Sequence, residues 1–201
     1  MPLQNRVSPF GELVAMHARG TLMGNRGGRL HDKKRRLTRR RWTSKQWICC
    51  KLDFNNRHRR VWGSGYTELF FLDEVTAFAA GHRPCFECRR KDAERFAMLF
   101  SGKRERASAA SMDRALHAER LVVKGKRAHP SRLEMLPDGA MIAIGIEAFA
   151  VRGKRLLRWT PTGYKGWIPR PRRGEADVLT PPSILAVLAR GYAPRWHTSA
   201  R

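Results

Sequence analysis

Residues 81–88 read Gly-His-Arg-Pro-Cys-Phe-Glu-Cys, and two cysteines three positions apart leave this stretch few ways to fold. A tight turn through Cys85 and Cys88 can bring both sulfurs to about 2.3 Å from one tetrahedral ion, the usual zinc–thiolate bond length. Pro84 fixes φ just ahead of Cys85 and presets the turn. Upstream, residues 69–72 (Leu-Phe-Phe-Leu) are strand-like and residues 73–80 form an Ala-rich helical turn, which Gly81 stops. The knuckle is therefore expected directly after a strand and a short helix.

The other two cysteines, Cys49 and Cys50, are adjacent. Successive side chains on a strand point to opposite faces, so one of the two is expected to join Cys85 and Cys88 while the other does not. The fourth ligand must then come from elsewhere. His58, His31 and His82 are candidates, with His58 preferred because a hairpin turning at Asn55-Asn56 returns it towards the Cys50 strand. His82 is expected to be a helix-cap or surface residue. A Cys-x-x-Cys pair can also be a redox couple or simply two buried small residues, but no thioredoxin-like βαβ pattern follows Cys88. Four cysteines with metal-type spacing and no visible secretion signal fit a reducing, cytoplasmic compartment.

The 69–90 segment resembles the second half of the zinc-binding domain of the adaptive-response DNA methyltransferase (Ada). That domain has a similar strand and Ala-rich helix, then Ala-Gly-Tyr-Arg-Pro-Cys-x-x-Cys-Arg, where this chain has Ala80, Gly81, His82, Arg83, Pro84, Cys85, Cys88 and Arg89. The resemblance covers roughly a tenth of the chain. It implies a bound Zn2+ and contact with DNA, in a repair setting. The family's upstream Cys-x-x-x-Cys is replaced here by Cys49-Cys50, so methyl transfer is not carried over.

Charge narrows the partner. The 201 residues hold 41 Lys and Arg against 17 Asp and Glu, for a formal net charge of +24. Such an excess is a statement about partners rather than fold, and nucleic acid is the commonest matching polyanion. Residues 33–41 carry seven cations in nine positions, among them Arg35, Arg36, Arg39, Arg40 and Arg41. Arg59, Arg60, Arg89 and Arg90 extend the run around the cysteines, and Trp42 and Trp47 interleave it. Between Arg152 and Arg173 there are eight cations and no acid, including Lys154, Arg155 and Lys165. Trp159, Tyr164 and Trp167 lie in the same stretch, read as an aromatic loop that either stacks on bases or packs a small sheet. The longest apolar run, 139–151, has about 13 residues and contains Glu147, too short to span a bilayer.

Strand signals at 47–54, with a return from 59 to 62, predict a β-hairpin. Helices are expected over 89–100, ended by Gly102, over 112–123, capped by Ser111 or Asp113, and over a tail segment with Pro182 in its first turn. Residues 139–146, 148–151 and 155–159 read as strands. The Gly-rich residues 1–30 read as an irregular surface loop or, at lower expectation, a phosphate-cradling nest. The whole is expected to be α+β: a small zinc-stabilised β-hairpin and helix module (1–102, basic), followed by a small mixed sheet with flanking helices (103–201, basic), with 101–111 as linker. The function expected is zinc-containing nucleic-acid binding, DNA favoured, in repair or processing. Two alternatives stand beside it. One is a metal-dependent nuclease using His31, Asp32, Asn25, Arg26, His117 or Glu119; the other is an RNA- or ribosome-associated structural protein. Whether the chain is an enzyme is left open.

Overall fold

The computed structural model describes residues 1–56, 60–122 and 125–201. The fold is α+β, built on two six-stranded sheets and four α-helices among these residues. In the first sheet lie β1 (Gln4–Val7), β2 (Leu13–Ala15), β3 (Leu22–Asn25), β4 (Ile48–Cys50), β5 (Leu69–Phe71) and the two-residue β6 (Arg83–Pro84). Their order is β2-β1-β5-β3-β4-β6, with β1–β5 and β4–β6 parallel and the remaining pairs antiparallel.

Residues 1–30 therefore supply three strands of this sheet and are not one irregular surface loop. Glycine is used here for close approach. A Cβ on Gly24 would lie 2.1 Å from the Ile48 carbonyl oxygen and 2.8 Å from the Phe71 ring. The expected 47–62 hairpin does not form: β4 pairs with β3 and β6, and residues 60–62 belong to no strand. Asn55 and Asn56 do turn the chain, with φ of 54° and 50°, a region that asparagine tolerates.

Helix α1 (Glu74–Ala79) follows β5 as expected, N-capped by Asp73, whose carboxylate accepts from the Thr76 N–H at 2.8 Å. After the knuckle, α2 (Arg90–Ser101) ends on Gly102 at φ 61°, the left-handed cap that glycine favours. Helix α3 (Ala109–Arg120) begins three residues earlier than expected. Its cap is Ser108, which accepts from the Ser111 N–H, so Ser111 and Asp113 lie inside the helix.

A short hairpin, β7 (Leu121–Val122) with β8 (Gly125–Lys126), leads to the second sheet. Its strands are β9 (His129–Arg132), β10 (Met141–Ile144), β11 (Glu147–Arg152), β12 (Arg155–Thr160), β13 (Gly163–Pro169) and β14 (Glu175–Val178). The order is β13-β12-β11-β10-β14-β9, antiparallel throughout. The expected turns at 145–146 and 153–154 are present. The expected aromatic loop is instead the β12–β13 hairpin. Helix α4 (Pro182–Ala189) packs Ile184, Val187 and Leu188 against Phe96, Met112 and Leu116 of the helical layer. Leu185 of the same helix packs against the second sheet's apolar cluster of Leu133, Ile142 and Phe149.

Buried contacts tie the halves together. Leu72, Val75 and Ala79 share one apolar cluster with Met141, Ala150 and Leu157, and Phe78 shares another with α2, α3 and α4. Polar contacts do the same. Trp159 donates to the Thr76 hydroxyl at 3.0 Å, Tyr164 to Asp73 at 2.9 Å, and Tyr192 to Glu74 at 3.0 Å. Both acids are fully buried, and each is satisfied by several donors, as buried carboxylates must be. No helix among the described residues is long and apolar enough to cross a membrane.

Candidate metal centre and basic faces

Strand pleating decides between the adjacent cysteines. On β4 the Cys49 side chain enters the apolar cluster of Val7, Leu13, Leu30 and Phe71. Cys50 points to the opposite face and meets Cys85 and Cys88. The three Sγ atoms of Cys50, Cys85 and Cys88 lie within 4.8 Å of one another and could hold a metal ion. Sulfurs at the corners of a tetrahedron around zinc, with bonds of about 2.3 Å, would be roughly 3.8 Å apart. That spacing falls within the observed bound.

Local backbone builds this arrangement. Parallel pairing of β4 with β6 sets Cys49 beside Pro84, and the Cys85 N–H donates to the Cys49 carbonyl at 3.0 Å. The Arg89 N–H closes the knuckle onto the Cys85 carbonyl at 3.0 Å. Backbone N–H groups also aim at sulfur: Glu87 to Cys85 and Lys51 to Cys88, both at 3.4 Å. Such donors favour thiolate, the form that ligates metal.

Thiol ionisation follows from crowding. S–H donation by Cys50, and then by Cys88, holds the Cys85 thiol well below its usual range. The same hydrogen bonds, to Cys85 first, push the Cys50 thiol up. One thiolate is stable in the trio and a second is opposed by its charge, a repulsion that a divalent cation removes. Burial pushes Cys49 up as well, so it stays a thiol. Its neighbour is the Arg89 guanidinium, at 3.6 Å.

Of the expected fourth ligands, His58 lies outside the described residues. His31 is buried, with Nδ1 against the Thr67 hydroxyl at 2.7 Å and Nε2 against the Gly63 carbonyl at 3.1 Å, so both nitrogens are taken. His82 is fully buried, not at the surface. It packs on Trp47 and Phe71 on the far side of β4 from Cys50, with Nε2 accepting from Arg26 at 3.4 Å. A cavity of about 170 Å³ opens in front of the sulfurs, walled by Met23, Phe54 and Tyr66.

Several residues expected to touch nucleic acid are committed elsewhere. Arg89 is buried, where it pairs with Glu74 and with Asp92. Tyr164 is buried on Asp73, and Trp159 is half-buried on Thr76. In each case a non-local partner, invisible in the local pattern, claims the side chain. Arg59 lies outside the described residues. Arg35, Arg36, Arg39, Arg40, Arg41, Arg60 and Arg90 are exposed on or near the first sheet. Arg36 is tied to Asp32 at 3.1 Å and Arg90 to Glu94 at 3.1 Å. An open groove of about 790 Å³ runs past Arg29, Lys33, Arg35 and Arg60 over Trp62. On the second sheet Lys154, Arg155 and Lys165 are exposed, and Trp167 is 50 % exposed with the Arg155 guanidinium 4.5 Å from its ring centre.

The residues expected for a nuclease are not gathered in one place. Asp32 caps the turn around Lys34 and Arg36. Glu119 accepts from the Ser183 N–H and hydroxyl at the start of α4.

Sequence reasoning missed a second centre. Two buried guanidinium groups pack on the Trp47 ring, Arg26 at 4.0 Å and Arg120 at 3.9 Å from its centre. The signal was weak, since these residues stand far apart in sequence. No family model matches the chain, and no match was found among curated proteins or solved structures.

Proposed function

We propose that this chain is a zinc-stabilised nucleic-acid-binding protein that grips DNA chiefly through its phosphates. The observation that carries the reading is the exposed cationic stretch 33–41, in which all seven Lys and Arg residues reach solvent beside the open groove lined by Arg29 and Arg60. Desolvating a Lys or Arg against a phosphate releases condensed counterions, and this term dominates sequence-independent binding.

Zinc is the metal proposed for the three cysteines. Thiolate donors select soft or borderline ions, and a site with this set holds a fold together rather than performing chemistry when a fourth ligand closes it. The likeness of residues 69–90 to the Ada zinc domain supports both zinc and DNA. A preference for single strands, DNA or RNA, is a second reading. It is favoured by Trp167, half-exposed between Arg155 and Lys165, since a ring so placed can stack on an unpaired base.

Fluorescence anisotropy with labelled duplex, single-stranded DNA and RNA over a salt series tests the proposal. Duplex affinity is expected to fall with a log–log slope of about −0.9 per phosphate contacted. Replacing Arg39, Arg40 and Arg41 together should flatten that slope by about two to three units and weaken all sequences alike. A salt-independent affinity, or none at low salt, refutes the reading. Trp167→Ala weakening single strands more than duplex selects the second one.

A further inference from the structure

Cations buried without carboxylates are costly unless something anionic visits them. Four arginines are almost wholly buried among the described residues: Arg26, Arg83, Arg89 and Arg120. Arg83 is neutralised by Asp113, and Arg89 by Glu74 and Asp92. Arg26 and Arg120 are held by neutral groups instead. Arg26 donates to the Gly11 carbonyl at 2.8 Å and to His82. Arg120 donates to the Gly81 and Lys45 carbonyls at 2.8 and 2.7 Å and to His117 at 3.0 Å. Its Nε has no partner. Close by, the Nζ of Lys126 is shielded from solvent and also has none.

Arg26, Arg120 and Lys126 line a cavity of about 400 Å³ between the first sheet and the β7–β8 hairpin, its rim formed by Arg39–Arg41 and Trp42. Each of the three cations raises the cost of the others. Burial, and then the neighbouring guanidinium groups, bring Lys126 down to about 7. Burial likewise brings Arg26 and Arg120 down to about 9. The carboxylates within electrostatic reach are turned to other tasks or lie at the surface: Glu119 holds Ser183, Asp113 holds Arg83, and Glu12 is exposed on the rim. An internal counter-ion is thus lacking among the described residues, and the cavity is open to an external one.

We propose that this cavity is a binding site for a phosphomonoester group, received by Lys126, Arg26 and Arg120. A dianion matches three cations lining one cavity better than a carboxylate or a bridging phosphodiester, each of which carries a single charge. The volume admits more than the phosphate alone, and Trp42, 39 % exposed at the mouth, offers a ring face to whatever the phosphate carries. A free mononucleotide and the phosphorylated end of a nucleic-acid strand share this chemistry. The second source rests on the nucleic-acid reading above; the first does not.

The test is calorimetric titration of the full chain at fixed ionic strength and pH 7. The ligands are a nucleoside 5′-monophosphate, the parent nucleoside, and one short oligonucleotide bearing either a 5′-phosphate or a 5′-hydroxyl. The monophosphate should bind near one per chain and at least tenfold more tightly than the nucleoside. Lys126→Met should lose tenfold or more. Glu12→Gln, which removes the carboxylate that opposes an anion at Arg26, should gain affinity on the order of threefold, a direction that misfolding does not produce. A preference for the 5′-phosphorylated oligonucleotide assigns the site to strand ends. Binding of the mononucleotide alone assigns it to a small ligand and leaves the cavity proposal standing even if duplex binding fails. No preference for monophosphate over nucleoside, or wild-type affinity in Lys126→Met, overturns it.

Discussion

Replacing Asp113 with alanine should damage both the fold and the metal centre. Asp113 on α3 accepts two N–H bonds from Arg83, Nε to Oδ1 and Nη2 to Oδ2, each 2.8 Å long. Arg83 is 1 % exposed and Asp113 8 %. Removing one partner of such a pair leaves a buried charge uncompensated, at a cost of about 3–5 kcal/mol. The remaining contact, Arg83 Nη1 to the Pro84 carbonyl at 3.2 Å, is neutral and offsets little. Against a typical total of about 5–15 kcal/mol, the loss is about a fifth or more of the stability. With a urea slope of about 2–3 kcal/mol per molar, the midpoint should fall by about 1–2.5 M. Because Arg83 pairs with Ile48 across β4–β6 and stands two residues before Cys85, the same change loosens the registration of Cys85 against Cys50. Retention of the proposed zinc against a chelator should then fall as well. The double variant Arg83→Met, Asp113→Leu removes both charges and should recover most of the stability. A loss below about 1 kcal/mol in Asp113→Ala, or a double variant no better than the single, refutes the reasoning.

Three further outcomes follow from other parts of the molecule. Cys50→Ser should abolish stoichiometric zinc while Cys49→Ser retains it, since the two side chains occupy opposite faces of β4; elemental analysis reads this directly, and zinc-free Cys49→Ser sinks the assignment. Gly24→Ala should destabilise by about 1–3 kcal/mol or more, because its Cβ meets the Ile48 backbone rather than a movable side chain; chemical denaturation measures it, and a neutral effect contradicts the close packing of β3 on β4. Lys126, surrounded by Arg120, Arg26 and Glu119, titrates near 7 in the folded chain and near 10.5 when unfolded. Between those values the unfolded state holds the extra proton, so stability rises with pH by at most about 1.4 kcal/mol per unit; subtracting the pH profile of Lys126→Met from that of wild type should isolate this slope, and identical profiles would remove it.

What was legible in the sequence was local. The 73–80 helical turn, the stop at Gly81, the Gly102 terminus of α2 and the strands around the 145–146 and 153–154 turns are set by residues within a few positions of each other. The first sheet was missed because its order follows long-range pairing. Strands β1 to β3 are only three or four residues long, and distant partners hold them: β5 pairs with both β1 and β3, β4 with β3, and β2 only with β1. The hairpin expected after Phe54 failed for the same reason: β6, more than thirty residues downstream, competes for the edge of β4 and wins it.

The candidate sites divide along the same line. The Cys85–Cys88 knuckle is a local device, and strand alternation was enough to say that Cys49 and Cys50 could not both join it. Residue type alone could not say which arginine faces a ligand. Arg89, expected on a DNA face, is sealed against Glu74, whereas Arg26, expected only among the nuclease candidates, is sealed against nothing that carries a negative charge. Both are equally buried, and both cap a network of good hydrogen bonds. What separates them is charge balance. A buried guanidinium answered by a carboxylate is part of the scaffold. One answered only by carbonyls, beside a second in the same condition and an amine with no partner, keeps a net positive potential in a low-dielectric wall. That potential is unfavourable for the empty protein and favourable for an anion in the cavity. It therefore marks the Trp47 face, rather than the most heavily charged stretch of the chain, as the place where this protein most needs a ligand.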